Sequence, residues 1–468
     1  MRRIHHFGIV GAACLIMGLI SITGLRAQQN TRPNIILILT DDLGWTSLSA
    51  LMDQRLANSK SDYHETPAME KMASQGMRFS RGYAPDPICT PSRRSIQFGQ
   101  TSLRQGDEEF RGRYAEKSRR VASIPEVLKS IDPTYATAHF GKWDLRAGIT
   151  PAQLGYDESD GDTGNRNGDF VDEREDKWNK KYLIENPKQV DSLTNRSVRF
   201  MARQVKQGNP FYLQISHYAT HVNFETRAET YQKFVEKKKG KIHDHPAWAG
   251  MIHDLDASIG KVLDALDSLS ISENTYVFFM ADNGAVEYIP PVSNRLDHPD
   301  VFEKPMRNSP LRGGKWTLYE GGIRVPFIVK GPGIKPGSQS DEPVAGWDLL
   351  PTFCELAGGN VDQSRDGGSF ASLLTNGGKG KIRRSENAFY FHRFHNTYPH
   401  SAIMVGDFKL IRFWKTGKVE LYNLANDPGE KNDLYKSDSK RAKQLEDRLY
   451  SYMQRVNPSL ANLYSIGK

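Results

Sequence analysis

Four short apolar runs, each ending in a cluster of polar residues, constrain this chain more than any other feature. Ile35 to Leu39 runs into Thr40-Asp41-Asp42, and Tyr135 to Phe140 into Gly141-Lys142-Trp143-Asp144. Phe211 to Ile215 runs into Ser216-His217 and then His221, and Tyr276 to Met280 leads to Asp282-Asn283-Gly284. Continuous apolar runs of this length suit strands buried on both faces. Helical patterns lie between them. Ile124 to Ile131 has Pro125 at a helix start, Leu193 to Val205 is a second, and Met251, Leu255, Ile259, Val262 and Leu266 recur at helical spacing. The alternation predicts an α/β fold: a mostly parallel central sheet with helices on both faces. Ligands of such sheets bind beyond the carboxyl ends of the strands. All four polar clusters fall there.

After about Gly380 the pattern changes. Ala388–Phe391, Ala402–Val405, Phe408–Phe413 and Glu420–Tyr422 read as short strands, with a hairpin-like turn at Val405-Gly406-Asp407. Ser439 to Val456 reads as a closing helix. The expected division is a large α/β domain over residues 28–380 and a smaller antiparallel subdomain over 381–468.

Residues 1–27 stand apart. Arg2 and Arg3 precede an apolar run from Phe7 to Leu25, and Ala27 offers a small residue for cleavage. This reads as a signal peptide, so the protein is expected to be exported, to a periplasm or beyond the cell. A membrane association follows only if that segment stays uncleaved. Removing it takes away three arginines, so the 63 basic residues become 60 against 55 acids, a net charge of +5. The excess suits a cleft for anionic substrates; no nucleic-acid partner is expected. Three cysteines, Cys14, Cys89 and Cys354, leave at most one disulfide after cleavage. An exported cysteine beside Pro and Arg, as at Cys89, calls for a chemical explanation.

Asp41-Asp42 and Asp282-Asn283 are oxygen-rich pairs at two strand ends. Either alone would serve as a cap of a turn or helix. Together they would repel unless a cation sat between them, and all-oxygen ligands favour calcium or magnesium over zinc. Cys89-Thr90-Pro91-Ser92-Arg93 has no second cysteine nearby, which excludes a zinc pattern. With a helix starting at Pro91, Arg93 would sit one turn from position 89.

Cys-x-Pro-Ser-Arg resembles the signature of the formylglycine-dependent sulfatases, in the alkaline-phosphatase-like superfamily. Further motifs resemble that family, in its order. They are Pro33-Asn34-Ile35 through Gly44, Gly141-Lys142-Trp143, Thr220-His221, Asp282-Asn283-Gly284 and Arg312-Gly313-Gly314-Lys315. Glu320-Gly321-Gly322-Ile323-Arg324-Val325-Pro326, Leu421-Tyr422-Asn423-Leu424 and Asp427-Pro428-Gly429-Glu430 complete the set. The resemblance implies that Cys89 is oxidised to formylglycine by a formylglycine-generating enzyme. It implies a calcium ion bound by Asp41, Asp42, Asp282, Asn283 and residue 89. The hydrated aldehyde would attack sulfur, and its second hydroxyl would expel sulfate. Arg93, Lys142 and Lys315 would stabilise the sulfuryl oxygens, and His221, with Lys315, would protonate the leaving alcohol.

Two departures from the family stand out. Asp144 replaces the histidine common after Gly-Lys-Trp; it would accept a hydrogen bond or proton from the hydrate, or else cap local backbone. Gln97-Phe98-Gly99-Gln100 replaces Leu-Thr-Gly-Arg, positions that support the loop and its maturation. His217 either faces the substrate or supports His221. His392-Arg393-Phe394-His395 either reads a sugar carboxylate or second sulfate, or forms a surface strand. The expected substrate is a sulfated carbohydrate. A phosphonate or phosphodiester hydrolase, or a sulfated-glycan-binding protein without turnover, are the alternatives.

Overall fold

The apolar runs assemble into an eight-stranded sheet, seen in a computed structural model that describes residues 32–105, 121–146, 148–168, 181–287, 307–360, 362–394 and 398–464. The expected signal segment and His395 lie outside the described residues. The strands are β1 (Asn34–Thr40), β2 (Met77–Phe79), β3 (Ala136–Gly141) and β4 (Glu158–Ser159). They continue as β5 (Phe211–Ser216), β6 (Thr275–Ala281), β7 (Phe327–Lys330) and β8 (Ser338–Ser340). Their order is β8-β2-β7-β6-β1-β5-β3-β4. Only β7 runs against its neighbours, β6 and β2; the other pairings are parallel.

The four strands expected from the apolar runs, β6, β1, β5 and β3, lie side by side at the middle of this sheet. β1 is buried along its whole length, and burying each of Ile35 to Leu39 contributes about 1.5–3 kcal/mol. Register then places the polar clusters. Thr40 pairs with Ala281, so Asp41 and Asp282 emerge together. Gly141 pairs with Ser216, so Lys142 emerges beside His217.

Two helix groups flank the sheet. One joins α1 (Pro67–Gln75), α4 (Val190–Gln207) and α5 (Pro246–Ser268); the other joins α2 (Cys89–Phe98), α3 (Ile124–Ile131) and α6 (Leu349–Leu356). None of the described helices is long and apolar enough to cross a membrane.

A separate antiparallel sheet follows: β9 (Phe389–Arg393), β10 (His400–Val405), β11 (Phe408–Phe413) and β12 (Val419–Asn423), paired in chain order. One face, with Phe391, Met404 and Ile411, packs on Tyr83, Tyr319 and Trp347. The other, with Tyr390, Ile403 and Leu410, packs under α7 (Ser439–Val456).

Two expectations are extended here. Strands β2, β4, β7 and β8 join the sheet without having shown a pattern, because each is only two to four residues long and shows no period. And α2 begins at Cys89, not Pro91. A proline in the first turn removes only an N–H that has no helical partner.

Candidate active site

Asp41, Asp42, Asp282 and Asn283 meet at the carboxyl ends of β1 and β6, all with essentially no solvent exposure. Asp42 turns back with φ 56°, and its N–H donates to Asp282 Oδ1 at 3.2 Å. Asn283 Nδ2 donates to Asp42 Oδ1 at 2.7 Å. From the loop after β5, the Thr220 hydroxyl donates to the carbonyls of Asp41 and Asp42 at 3.1 and 3.0 Å. Thr220 therefore fixes the backbone under both carboxylates, a role that a single threonine in a loop does not signal in sequence.

Cys89 comes to this cluster from above. It opens α2, whose ten residues are all buried. Its Sγ donates to Asp41 Oδ1 at 3.2 Å and lies 3.8 Å from Asp42 Oδ1. One ligand atom from each of Asp41, Asp42, Cys89 and Asp282 fits within 4.8 Å of the others. Burial, then the Asp41 carboxylate, pushes the Cys89 thiol well above its usual range. A thiol held protonated in this way is a poor nucleophile.

Three cations close the ring. Arg93, one turn along α2, donates from Nε to Asp282 Oδ2 at 2.7 Å and from Nη1 to the Lys142 carbonyl at 2.6 Å. Lys142 Nζ donates to Asp41 Oδ2 at 2.6 Å. Lys315 Nζ donates to Asp42 Oδ2 at 2.7 Å. Burial alone would discharge both lysines, but Asp41 beside Lys142 and Asp42 beside Lys315 hold them charged, above the usual range. Burial pushes Asp41 up, yet Lys142 and its fellow cations outweigh it and hold the carboxyl low. Asp282 goes the other way, raised by burial and by the Asp41 charge.

These residues fit a hard cation. The donor set is carboxylate and amide oxygen, and Asn283 Oδ1 is buried with no hydrogen-bond partner among the described residues. A buried acceptor left so costs about 1–3 kcal/mol, and a metal ion would satisfy it. The raised Asp282 carboxyl is relieved by the same charge.

His221 Nε2 lies 3.9 Å from Asp42 Oδ2, and Nδ1 donates to the Val222 carbonyl at 2.7 Å. Burial, then the Lys315 charge, lowers its pKa to about 4, so the ring is neutral at pH 7 with its proton on Nδ1. Asp144 stands at the rim with φ 52°. The Thr90 hydroxyl donates to its Oδ2 at 3.0 Å, Lys142 Nζ lies 3.7 Å from that oxygen, and Arg146 Nε donates to Oδ1 at 3.4 Å. Thr90 is, with Thr220, a contributor whose role the sequence did not signal. Gln97, a departure noted above, donates to Gln214 Oε1 at 2.7 Å and to the Tyr156 hydroxyl at 2.9 Å, anchoring α2 to β5.

The remaining candidates separate. His217 follows β5 and is buried, with neither ring nitrogen hydrogen-bonded among the described residues. His392 and Arg393 part company, because neighbours on a strand face opposite ways. His392 lies on the α7 side of β9, its Nδ1 2.7 Å from Ser401 Oγ and its ring beside Tyr464. It is wholly buried, which fits neither of the two readings of the sequence, a sugar reader or a surface strand. Arg393, also buried, takes the alternate position that faces the large domain.

Comparison with known proteins agrees with this geometry. The sulfatase family profile matches residues 33–359, and that of the N-sulphoglucosamine sulphohydrolase C-terminal region matches 314–457. A sulfatase of Formosa agariphila is 29% identical over 91% of this chain and 88% of its own. An N-acetylgalactosamine-6-O-sulfatase of Bacteroides thetaiotaomicron is 25% identical over 94% of this chain and 98% of its own. A protein solved with its substrate D-glucosamine-2-N,6-O-disulfate superimposes with a TM-score of 0.65 at 21% identity, covering 91% of this chain and 98% of that one. With the profile spanning most of its length, this chain belongs to the sulfatase family, and its named relatives are sulfuric ester hydrolases.

Proposed function

We propose that this enzyme hydrolyses sulfate esters of a sulfated carbohydrate, with Cys89 in its formylglycine form and calcium held by Asp41, Asp42, Asp282 and Asn283. The carrying observation is the placement of Cys89 Sγ, 3.2 Å from Asp41 Oδ1, inside a buried ring with Arg93, Lys142 and Lys315. Calcium, when bound, adds positive charge that orients residue 89 and polarises a sulfuryl oxygen. The oxidised form of residue 89 supplies a nucleophile that the buried thiol does not.

The chain's own groups do the rest. With His221 neutral, the carboxylates Asp41, Asp42, Asp282 and Asp144 are balanced by Arg93, Lys142, Lys315 and Arg146, so a divalent ion would leave the pocket positive and attractive to an anionic ester. Lys142 and Lys315 hold sulfuryl oxygens, and Arg93 fixes Asp282. Proton donation to the leaving oxygen falls to Lys315, which carries a proton at neutral pH. His221, given that role from sequence, stands beside Lys315 on the same Asp42 oxygen and is the second candidate for it. The named activity of the Bacteroides relative, and the substrate named for the solved neighbour, support an amino-sugar sulfate as substrate. The basic start and apolar run of residues 1–27 support export, and Cys89-Thr90-Pro91-Ser92-Arg93 supports a formylglycine-generating enzyme as maturation partner.

The experiment combines peptide mass spectrometry with turnover. Conversion of Cys89 lowers its peptide by about 18 Da and should accompany activity. A panel of sulfated oligosaccharides is set against phosphonate and phosphate diesters. Sulfate release from a sugar supports the reading; active protein carrying only unmodified cysteine, or faster diester turnover, sinks it.

A further inference from the structure

Two motifs have no place in the chemistry above: the one beginning at Glu320 and the one ending at Glu430. The structure joins them. Lys409, the second residue of β11, lies with Nζ 3.0 Å from Glu320 Oε1 and 2.9 Å from Glu430 Oε1. The Glu320 N–H donates to Glu430 Oε2 at 2.7 Å, and the Tyr83 hydroxyl donates to Glu320 Oε2 at 3.0 Å. All three side chains are fully buried, and Arg324 Nη1, 3.5 Å from Glu320 Oε2 and also buried, adds a second cation, so two cations face two carboxylates.

The antiparallel sheet grips the same segment elsewhere. Leu318 N–H donates to His400 Nε2 at 3.1 Å, and the Tyr319 hydroxyl donates to Glu420 Oε2 at 2.9 Å. Arg312 Nη1 donates to the Tyr422 hydroxyl at 2.9 Å and the Glu430 carbonyl at 3.2 Å. Lys315 lies within this gripped stretch.

The path into the active site is backbone on backbone. Gly321 N–H donates to the Arg312 carbonyl at 2.8 Å, and Gly284 N–H to the Gly322 carbonyl at 2.9 Å. Lys315 N–H donates to the Ala285 carbonyl at 3.0 Å. A Cβ on Gly284 would lie 1.8 Å from the Gly321 carbonyl oxygen, so the turn at Glu320 touches the residue after Asn283 with no side chain between. Backbone contacts thus link the turn at Glu320 to the segments that carry Lys315 and Asn283.

We propose that Lys409 is a positioning residue: clamped by Glu320 and Glu430, it lets the C-terminal sheet set where Lys315 and Asn283 stand. A fully desolvated ion cluster has few alternative geometries that leave every charge paired, whereas apolar contacts tolerate sliding. The inference rests on the sulfatase reading, which gives Lys315 and Asn283 their tasks.

The test compares Lys409→Met, Lys409→Arg and Glu430→Gln with the wild type. For each, thermal melting, calcium affinity by calorimetry, and kcat and KM on the sulfated sugar found by screening are measured. Coupling through such networks amounts to about 2- to 30-fold. Lys409→Met should melt cooperatively yet lose that factor in kcat and in calcium affinity, and Lys409→Arg should recover part. Glu430→Gln keeps an acceptor for the Glu320 N–H; it should show the same pattern more weakly, and decides the matter if Lys409→Met does not fold. Folded variants with wild-type kcat and calcium affinity overturn the inference, as does a loss that only follows the melted fraction. In either case wild-type turnover leaves the sulfatase reading standing. A wild type that cleaves no sulfate ester overturns both.

Discussion

The Thr90 hydroxyl donates to Asp144 Oδ2 at 3.0 Å, tying the residue that replaces the family histidine to the immediate neighbour of Cys89. Lys142 Nζ, 3.7 Å from the same oxygen, supplies the positive neighbour a buried carboxylate needs. We propose that Asp144 works as a hydrogen-bond acceptor beside residue 89. Asp144→Asn keeps an acceptor for Thr90 but removes the charge and the capacity to take a proton. Expected are a melting temperature near wild type, little change in KM, and a fall in kcat of about 10²-fold, the lower range for a lost acid–base group. Near-normal kcat would make Asp144 a cap of the local backbone.

Asp282 pairs with Arg93 and, in the proposed reading, would also hold the cation. Asp282→Ala would remove a proposed ligand and take from the buried Arg93 guanidinium its nearest carboxylate, leaving the Lys142 carbonyl and Asp41 at 4.0 Å; breaking such a buried pair costs about 3–5 kcal/mol. Activity should fall by orders of magnitude, and the rise in melting temperature on adding calcium should shrink. Unchanged calcium affinity in Asp282→Ala would remove Asp282 from the metal site.

The centre of the fold was legible because β1, β3, β5 and β6 are buried on both faces and so read as unbroken apolar runs. Asp41, Asp42, Lys142, Asp282 and Asn283 were legible for the same reason, as the polar residues that end those runs. Cys89 and Arg93 stood out only as an unusual exported cysteine and a cation one helical turn from it, and their roles, like Lys315 itself, emerged through family resemblance. What stayed hidden has physical causes. Thr90 and Thr220 act by hydroxyl bonds that leave no pattern in a chain. His392 and Arg393 are neighbours of opposite fate, because a strand alternates its faces and sequence did not say which face meets α7. The role of Lys409 was invisible because its partners, Glu320 and Glu430, are each remote from it in the chain or in a different turn.

Lys315 and His221 should respond differently to substitution. Lys315 is held charged by Asp42, while His221 is neutral with a pKa lowered to about 4. If Lys315 donates the proton, Lys315→Met should lower kcat by about 10²–10⁴-fold, most for poor leaving groups. His221→Gln should cost less and depend less on the leaving group. A larger, leaving-group-dependent loss in His221→Gln would return the acid role to histidine. The measurement is a series of sulfate esters with graded leaving-group acidity.

His217 offers a prediction on stability that needs no turnover. The ring is fully buried with both nitrogens unpartnered among the described residues, and burial lowers its pKa to about 3. Unfolded, it titrates near the ordinary histidine value of about 6.5. Between these values the unfolded chain binds a proton that the folded one refuses, so stability rises with pH across this window. The contribution is complete above pH 6.5 and is lost as pH falls toward 3, at up to about 1.4 kcal/mol per pH unit for this one group. Other groups titrate in the same range, including His139, also lowered to about 3 by burial. The informative quantity is therefore a difference. Urea unfolding of wild type and His217→Gln, each in chelator at pH 7, 6 and 5, should give free energies whose gap narrows or reverses on acidification. If the two lines run parallel, His217 is not a neutral buried ring. A ring that also faces the sugar would raise KM in His217→Gln at pH 7, where both proteins are fully folded, while a purely supporting one would leave KM unchanged.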